Sequence, residues 1–401
     1  MESPQSGTRK VAIVMSRLPK LIDPQAVWLS GLRACLRRIA TQRQTLLITP
    51  GTAGANFIRR GAERLGIKTQ NVTDVEPDPN GDSAILDKRL AKQADELLVL
   101  GLRARGNWHR LLTARMTSGR TGVVLVDLDN LQPRMLQQEL LNCGAEAWTP
   151  TADLQQPFGD ETFSPPNQLP VEQEIEQLGP AADCMLHPLP SNTDWSFLTH
   201  TTRACPGPWP EQSTEGYLDS VLNCREDGWH SELMTLTRIL RQKRLIASNR
   251  AIRGGFSVVS LTEVPLVELP VLHRFRPHRM RWDFAPYGIC IRRSVLIQSG
   301  ARPVIYATEE SWSELSAEDQ PYFQLHDPEA IRAVSDAATT PSSIDWSVER
   351  EWRHLGSLDL SQVDANDILV FVPTFEDARK ITPHTNWPIT LWPAEPIERK
   401  H

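Results

Sequence analysis

Through the first 145 residues, short unbroken apolar runs alternate with longer amphipathic stretches. VAIVMS (11–16), TLLITP (45–50), ELLVLGL (96–102) and TGVVLVDL (121–128) have the length and continuity of strands buried on both faces. Between them, 24–40, 54–65, 83–94 and 107–117 carry helical spacing, the first opening on Asp23-Pro24, a capping residue followed by the residue favoured at a first helical position. Strands that alternate with helices pair in parallel through crossovers, so the pattern predicts an α/β doubly wound parallel-sheet domain over 1–148. From 150 to 210 the pattern collapses: eleven of the 31 prolines fall there, and a proline-rich linker is expected over 149–190. Beyond it the period changes. SELMTLTRILRQKRL (231–245) is helical, whereas FSVVSLTE, YGICIRRSVLI, RPVIYA, DWSVEREW and DILVFVP read as strands between irregular loops. That predicts an α+β domain over 191–390.

The 401 residues are enough for two or three domains, each with its own core. A net charge of −6 excludes a globally basic nucleic-acid binder and leaves only local basic patches. No apolar run reaches the ~20 residues that span a bilayer, and MESPQSGTRK has no apolar signal core, which together predict a cytoplasmic protein with no membrane partner. The six cysteines contain no CxxC pair, as suits a reducing compartment. Cys184, His187, His200 and Cys205 have the ligand types of a zinc site, but their order and the prolines around them are wrong for one, and no metal is expected.

The turn after the second predicted strand, TPGTAGANFIRRGAERLG, places Gly51, Thr52 and Gly54 where a strand passes into a helix. Uncrowded backbone N–H groups at a helix N-terminus bind phosphate, so these three are candidate contacts to a nucleotide; the alternative is a tight turn in which the glycines serve geometry alone. Ser16, Arg17, Arg103 and Arg105 follow other strands and fall on the same rim. The turn is neither GxGxxG nor GxxxxGK[ST]. It resembles the Pro-Gly-Thr and Gly-Gly-Thr turns of Rossmann-like nucleotide-binding domains of the DNA-processing and lysine-decarboxylase-like group.

In DWSVEREWR, strand alternation would set Ser347, Glu349, Glu351 and Arg353 on one face. Two carboxylates that close repel and raise one another's pKa unless a cation or a substrate intervenes, so the pair is either a solvated edge neutralised by Arg353 or part of a site. Upstream, FLTHTTR (197–203) sets His200 and Arg203 in a polar strand. Followed by a helix bearing Leu236, Ile239, Leu240, Leu245 and Ser248, and by VVSLTE, it resembles the opening of His-containing ADP-ribosyltransferase-like folds. The strand VVSLTEVPL, the YGI and PVIY strands and the EREWR segment resemble abortive-infection proteins of the AbiGi type over about 150 residues. Lys243-Arg244 stands where the first of these families has glycine, and PGPWPEQSTEGYLDSVLNCREDGW separates the histidine strand from the helix.

These resemblances imply a bacterial defence protein that couples a nucleotide-sensing domain to an NAD-dependent ADP-ribosyltransferase-like effector. A non-catalytic regulator or antitoxin-like binding protein is the alternative. They imply that Glu351 and Glu349 are catalytic, that His200, Arg203, Ser260, Thr262 and Tyr287 hold NAD, and that a nucleic acid or protein is the acceptor. On that reading Glu351→Gln silences turnover and leaves the fold intact. HRFRPHRMRW interleaves Arg274, Arg276, Arg279 and Arg281 with Phe275 and Trp282, which suits either a single-stranded nucleic acid or an ordinary solvated face.

Overall fold

The computed structural model describes residues 8–15, 18–50, 54–72, 83–128, 131–150, 185–225, 228–250, 252–276, 281–326 and 345–393. The chain forms two compact units, the first from 1–169 and 206–230, the second from 170–205 and 231–401. Most of the expected linker lies outside the described residues.

In the first unit six strands alternate with five helices: β1 (Lys10–Met15), α1 (Val27–Thr41), β2 (Thr45–Ile48), α2 (Ala55–Arg64), β3 (Thr69–Asn71), α3 (Ser83–Gln93), β4 (Glu96–Gly101), α4 (Asn107–Thr117), β5 (Val123–Val126), α5 (Arg134–Asn142) and β6 (Glu146–Trp148). All pair in parallel in the order β3-β2-β1-β4-β5-β6, the doubly wound Rossmann-like arrangement. Alternation along β1 sends Val11 and Ile13 into one core and Ala12 and Val14 into the other, as a sheet covered on both faces requires. The edge strands β3 and β6 have no apolar signature because their side chains are mostly exposed. Helix α1 starts three residues after the predicted position: Asp23 closes a turn instead, its carboxylate accepting from Gln25 N at 2.8 Å.

The segment 206–230, expected inside the second domain, belongs to the first. Its helix α6 (Thr214–Leu222) buries Tyr217, Leu218, Val221 and Leu222 in the core beneath α1 and α2. Arg60 holds Asp219 through two bonds, Nε to Oδ1 at 2.8 Å and Nη2 to Oδ2 at 2.6 Å. An apolar face and a bidentate ion pair decide where this segment packs, over its position in the chain.

The second unit contains β7 (Phe197–Thr201), α7 (Glu232–Gln242), β8 (Arg244–Leu245), β9 (Val258–Thr262), β10 (Arg274–Arg276), β11 (Arg281–Asp283), β12 (Gly288–Arg292), α8 (Arg293–Gln298), β13 (Arg302–Pro303), β14 (Ile305–Ala307), β15 (Phe323–Leu325), β16 (Glu351–Leu355), β17 (Leu358–Asp359), β18 (Ile368–Val372), a helix over Phe375–Ile381 and β19 (Ile389–Leu391). Its main sheet has the order β13-β16-β9-β7-β12-β18-β19, antiparallel except for the last pair. One face carries Leu198, Val259, Leu261, Ile289, Ile291, Ile368 and Val370, packed with Leu236, Ile239 and Leu240 of α7. The other carries Phe197, Cys290, Leu369 and Phe371 under Val264, Leu266, Leu269 and Phe284. This is the expected α+β class. Half of YGICIRRSVLI turns out to be helix α8, because its second half has no alternation to hold it in a sheet.

Helix α7 ends on Lys243, which takes the left-handed conformation at φ 47 and ψ 44. Glycine occupies such C-caps without steric penalty, so the lysine carries strain at the point where its carbonyl accepts from Leu360 N at 2.7 Å. Lys243→Gly is expected to raise stability by about 0.5–1 kcal/mol, read as a higher urea midpoint at unchanged slope.

Candidate active site at an opening in the second sheet

Strands β7 and β9 share one residue pair, Thr199↔Thr262. Past it the His200 ring takes the place of a backbone bond, Nδ1 donating to the Ser260 carbonyl at 2.9 Å. A carbonyl only accepts, so this bond fixes the proton on Nδ1 and leaves Nε2 as an acceptor. Burial, together with the charge of Arg203, lowers the His200 pKa and keeps the ring neutral at pH 7.

Register settles which expected residues share a face. Glu351 pairs with Thr262 and Arg353 with Ser260, so these four and Thr199 lie on one side of the sheet. His200 pairs with Ile289 and lies with Leu198 on the other, reaching the opening only by its bond to Ser260. Thr262 is buried and structural in two directions: Oγ1 donates to the Glu349 carbonyl at 2.5 Å and accepts from Val264 N at 3.0 Å. Ser260 is exposed.

The two glutamates do not lie on one strand. Ser347–Glu349 form a single 3₁₀ turn, Arg350 is left-handed at φ 43, and β16 begins at Glu351. Arg350 resets the alternation, and the carboxylates enter different surroundings as a result. Glu351 is bound by Arg353, Nε to Oε1 at 2.9 Å and Nη2 to Oε2 at 3.2 Å. Arg353 is 1% exposed, and it also donates to the carbonyls of Pro321 at 3.1 Å and Phe323 at 2.7 Å and to Gln324 Oε1 at 2.9 Å. Glu351 is therefore the counter-ion of a buried cation, and Glu351→Gln is expected to lower stability rather than leave it unchanged.

Glu349 has no such clamp. Burial, then the negative charges of Glu351 and Asp283, push its pKa up to about 7, against the opposing pull of Arg203 and Arg276. Those groups come from three parts of the unit. Arg203 follows β7, with Nη2 at 3.9 Å from Asp283 Oδ1, and Arg276 and Asp283 belong to the β10–β11 hairpin, Nε to Oδ2 at 2.8 Å. The Arg276 guanidinium lies 5.8 Å from the Trp346 ring centre. Tyr306, which the sequence reading passed over, accepts from Glu351 N at 2.9 Å, and burial pushes its phenol up to about 12. Its only sequence signal is a tyrosine in the PVIYA run. Tyr287, the residue chosen as the ring against nicotinamide, is instead engaged internally. It packs on the core, and its hydroxyl donates to Asp377 Oδ2 at 3.2 Å.

In the first unit Gly51 and Thr52 lie outside the described residues, as do Ser16 and Arg17. Gly54 precedes α2 at φ −79, an ordinary conformation, and a Cβ there would lie 2.6 Å from Met15 Sδ, so close packing against Met15 is one reason for a glycine here. Strand order moves the expected ligand position. The sheet reverses between β1 and β4, and ligands of such sheets sit in the crevice beyond the carboxyl ends of that pair, not beside β2. Arg103 and Arg105 follow β4 and are the described basic residues nearest in sequence to that crevice. For the zinc reading, Cys184 is outside the described residues, and among the described residues no group of three or more His, Cys, Asp or Glu convenes.

Two outcomes follow. A carboxyl raised from 4.5 to about 7 means that the native state keeps a proton the unfolded chain has released. Stability therefore falls as pH rises from about 4.5 to 7, on the order of 2 kcal/mol, and Glu349→Gln flattens that slope in urea titrations. Glu351→Gln leaves the Arg353 charge undercompensated and is expected to cost about 1–3 kcal/mol by the same measurement.

No protein-family model matches the chain. No curated protein matches it. Among solved structures, DNA processing protein A (DprA) from Streptococcus pneumoniae is similar over 35% of this chain and 59% of that one, at 17% identity and a TM-score of 0.27. The likeness thus spans less than two-thirds of that protein. At that level of superposition it adds nothing to the strand order, which alone sets the first unit among the doubly wound α/β folds.

Proposed function

We propose that the second unit cleaves the nicotinamide–ribose bond of NAD and transfers ADP-ribose, with Glu349 as its chemically active carboxylate. The observation that carries this reading is the contrast between Glu351, neutralised by Arg353, and Glu349, raised to about 7 between two arginines at an opening in the sheet. Groups whose surroundings push their behaviour apart are how one site assigns separate roles to like side chains. The charges around Glu349 support an NAD substrate. Arg203 and Arg276 suit its phosphates, whereas His200 lies with Leu198 on the opposite side of the sheet and is not placed with them. Bond cleavage sends the electron pair out with nicotinamide and leaves positive charge on the ribose, which the Glu349 carboxylate stabilises. The same carboxylate takes the proton of the incoming nucleophile, water in hydrolysis or an acceptor group in transfer.

The first unit, on this reading, takes a phosphate-bearing nucleotide at the reversal between β1 and β4 and acts as the sensing half. The resemblance of the sequence to abortive-infection proteins supports reading the pair as a defence against phage. A non-catalytic binding protein is the second reading, favoured by the engagement of Tyr287 and Glu351 with internal partners.

Incubating the full chain with NAD labelled in the nicotinamide ring separates the two. The enzyme reading expects nicotinamide release that Glu349→Gln lowers at least about 100-fold, the scale on which positioned acid–base groups act. Glu351→Gln, by contrast, should lose activity only in step with its loss of folded protein. Equal turnover in wild type and Glu349→Gln, or none in either with folded protein, removes the enzyme reading.

A further inference from the structure

Arg350 is the bend that separates the two glutamates, and the chain is gripped on both sides of it. Its φ of 43 and ψ of 52 lie in the left-handed region, where any residue with a Cβ is strained. Before the bend, the Glu349 carbonyl accepts from Thr262 Oγ1 at 2.5 Å. After it, Glu351 N donates to the Tyr306 hydroxyl at 2.9 Å. Between the two, the Arg350 carbonyl accepts from Glu263 N at 3.1 Å. The Arg350 side chain itself adds little hold: it is 47% exposed and meets Glu268 at 3.4 Å, a pair of the kind that contributes weakly at a surface.

The Thr262 side chain is set for this bond. It is 3% exposed, and its oxygen accepts from Val264 N at 3.0 Å, which leaves its one hydrogen for the Glu349 carbonyl. What the bend decides is where a carboxyl lies. With residue 350 left-handed, Glu349 sits among Asp283, Arg203 and Arg276 in surroundings that push its pKa up to about 7, while Glu351 is held by Arg353. In an extended chain residues 349 and 351 share a face, which draws Glu349 away from that cluster.

We propose that Thr262 and Tyr306 are positioning residues for Glu349: their hydroxyls hold the backbone on either side of Arg350 in the left-handed bend and so keep the Glu349 carboxyl beside Arg203, Arg276 and Asp283. Thr262, expected from the sequence to contact NAD, acts instead through Glu349. The inference rests on the proposed transfer reaction only where turnover is the readout, because the position of the carboxyl is read without NAD.

The test follows the Glu349 carboxyl through a pH titration of the full chain by ¹³C NMR, with Glu349→Gln for assignment. Thr262→Val keeps the shape and strand preference of the side chain and deletes its hydroxyl. It is expected to lower the midpoint from about 7 by about one pH unit or more, as the carboxyl gains water and leaves its acidic neighbours. Thr262→Ser restores the hydroxyl and should restore the wild-type midpoint, and Tyr306→Phe should shift it in the same direction as Thr262→Val. Two controls separate holding the bend from general stability. In an Arg350→Gly background, where the left-handed conformation carries no strain, the Thr262→Val shift should shrink by about half or more. Ile368→Val, a core truncation on another strand, should leave the midpoint in place. A wild-type midpoint near 4.5 overturns the proposal, as does a folded Thr262→Val protein that titrates as wild type or a shift that Thr262→Ser fails to reverse. Should Thr262→Val fail to fold, Tyr306→Phe decides by the same criterion. With nicotinamide release as the readout, Thr262→Val is expected to lower kcat at least about tenfold and KM much less, since its hydroxyl does not touch the substrate. An absence of turnover in the wild type sinks the enzyme reading and leaves the titration to decide this one, whereas turnover with an unmoved titration sinks this one alone.

Discussion

Burying the guanidinium of Arg353 constrains the whole second unit. A cation taken out of water must be fully paired, and this one engages the Glu351 carboxylate, two carbonyls and the Gln324 amide oxygen. Those partners tie β16 to the segment that enters β15 and fix the register of β16 on β9. The consequence reaches the neighbouring carboxylate. With Glu351 pinned at the first position of the strand, the chain before it must turn, and Arg350 takes the left-handed conformation that makes the turn. Such strain persists only where surrounding structure enforces it. Glu349 is thereby delivered to a second cluster, where no guanidinium holds it in a bidentate pair.

Much of the fold was legible because burial on both faces leaves a plain signature. The continuous apolar runs at β1, β2, β4 and β5 announce a parallel sheet, whereas β3 and β6 are short exposed edges with nothing to read. Segment 206–230 was misassigned because its partner, α2, lies some 150 residues earlier, and long-range pairings such as Arg60 with Asp219 leave no local trace. At the site the sequence drew attention to Glu349, Glu351, His200 and Arg203 but set both glutamates on one strand face by alternation. One residue at positive φ invalidates that rule, and Arg350, unlike a glycine, gives no warning of it. Tyr287 was singled out and Tyr306 passed over for a related reason: only the tertiary structure decides which ring packs into the core and which stands beside the carboxylates.

Each unit places its candidate chemistry where a sheet changes its pattern. In the first, strand order reverses between β1 and β4; in the second, β7 and β9 meet at one pair and the His200 ring takes over. Regular pairing consumes backbone donors and acceptors, and interruptions leave them for something else. The β10–β11 hairpin joins this logic to the surface, since the alternation that turns Arg276 and Asp283 towards the carboxylates turns Phe275 and Trp282 outwards.

The division of labour between the two glutamates is the centre of the account, and it is tested most directly by following the Glu349 side-chain carboxyl through a pH titration with ¹³C NMR. Comparison with the Glu349→Gln protein supplies the assignment. The account predicts a midpoint near pH 7, since burial and the charges of Glu351 and Asp283 hold the proton on. A midpoint near 4.5 would mean that Glu349 is an ordinary solvated carboxylate, and its place at the centre of the site would be lost.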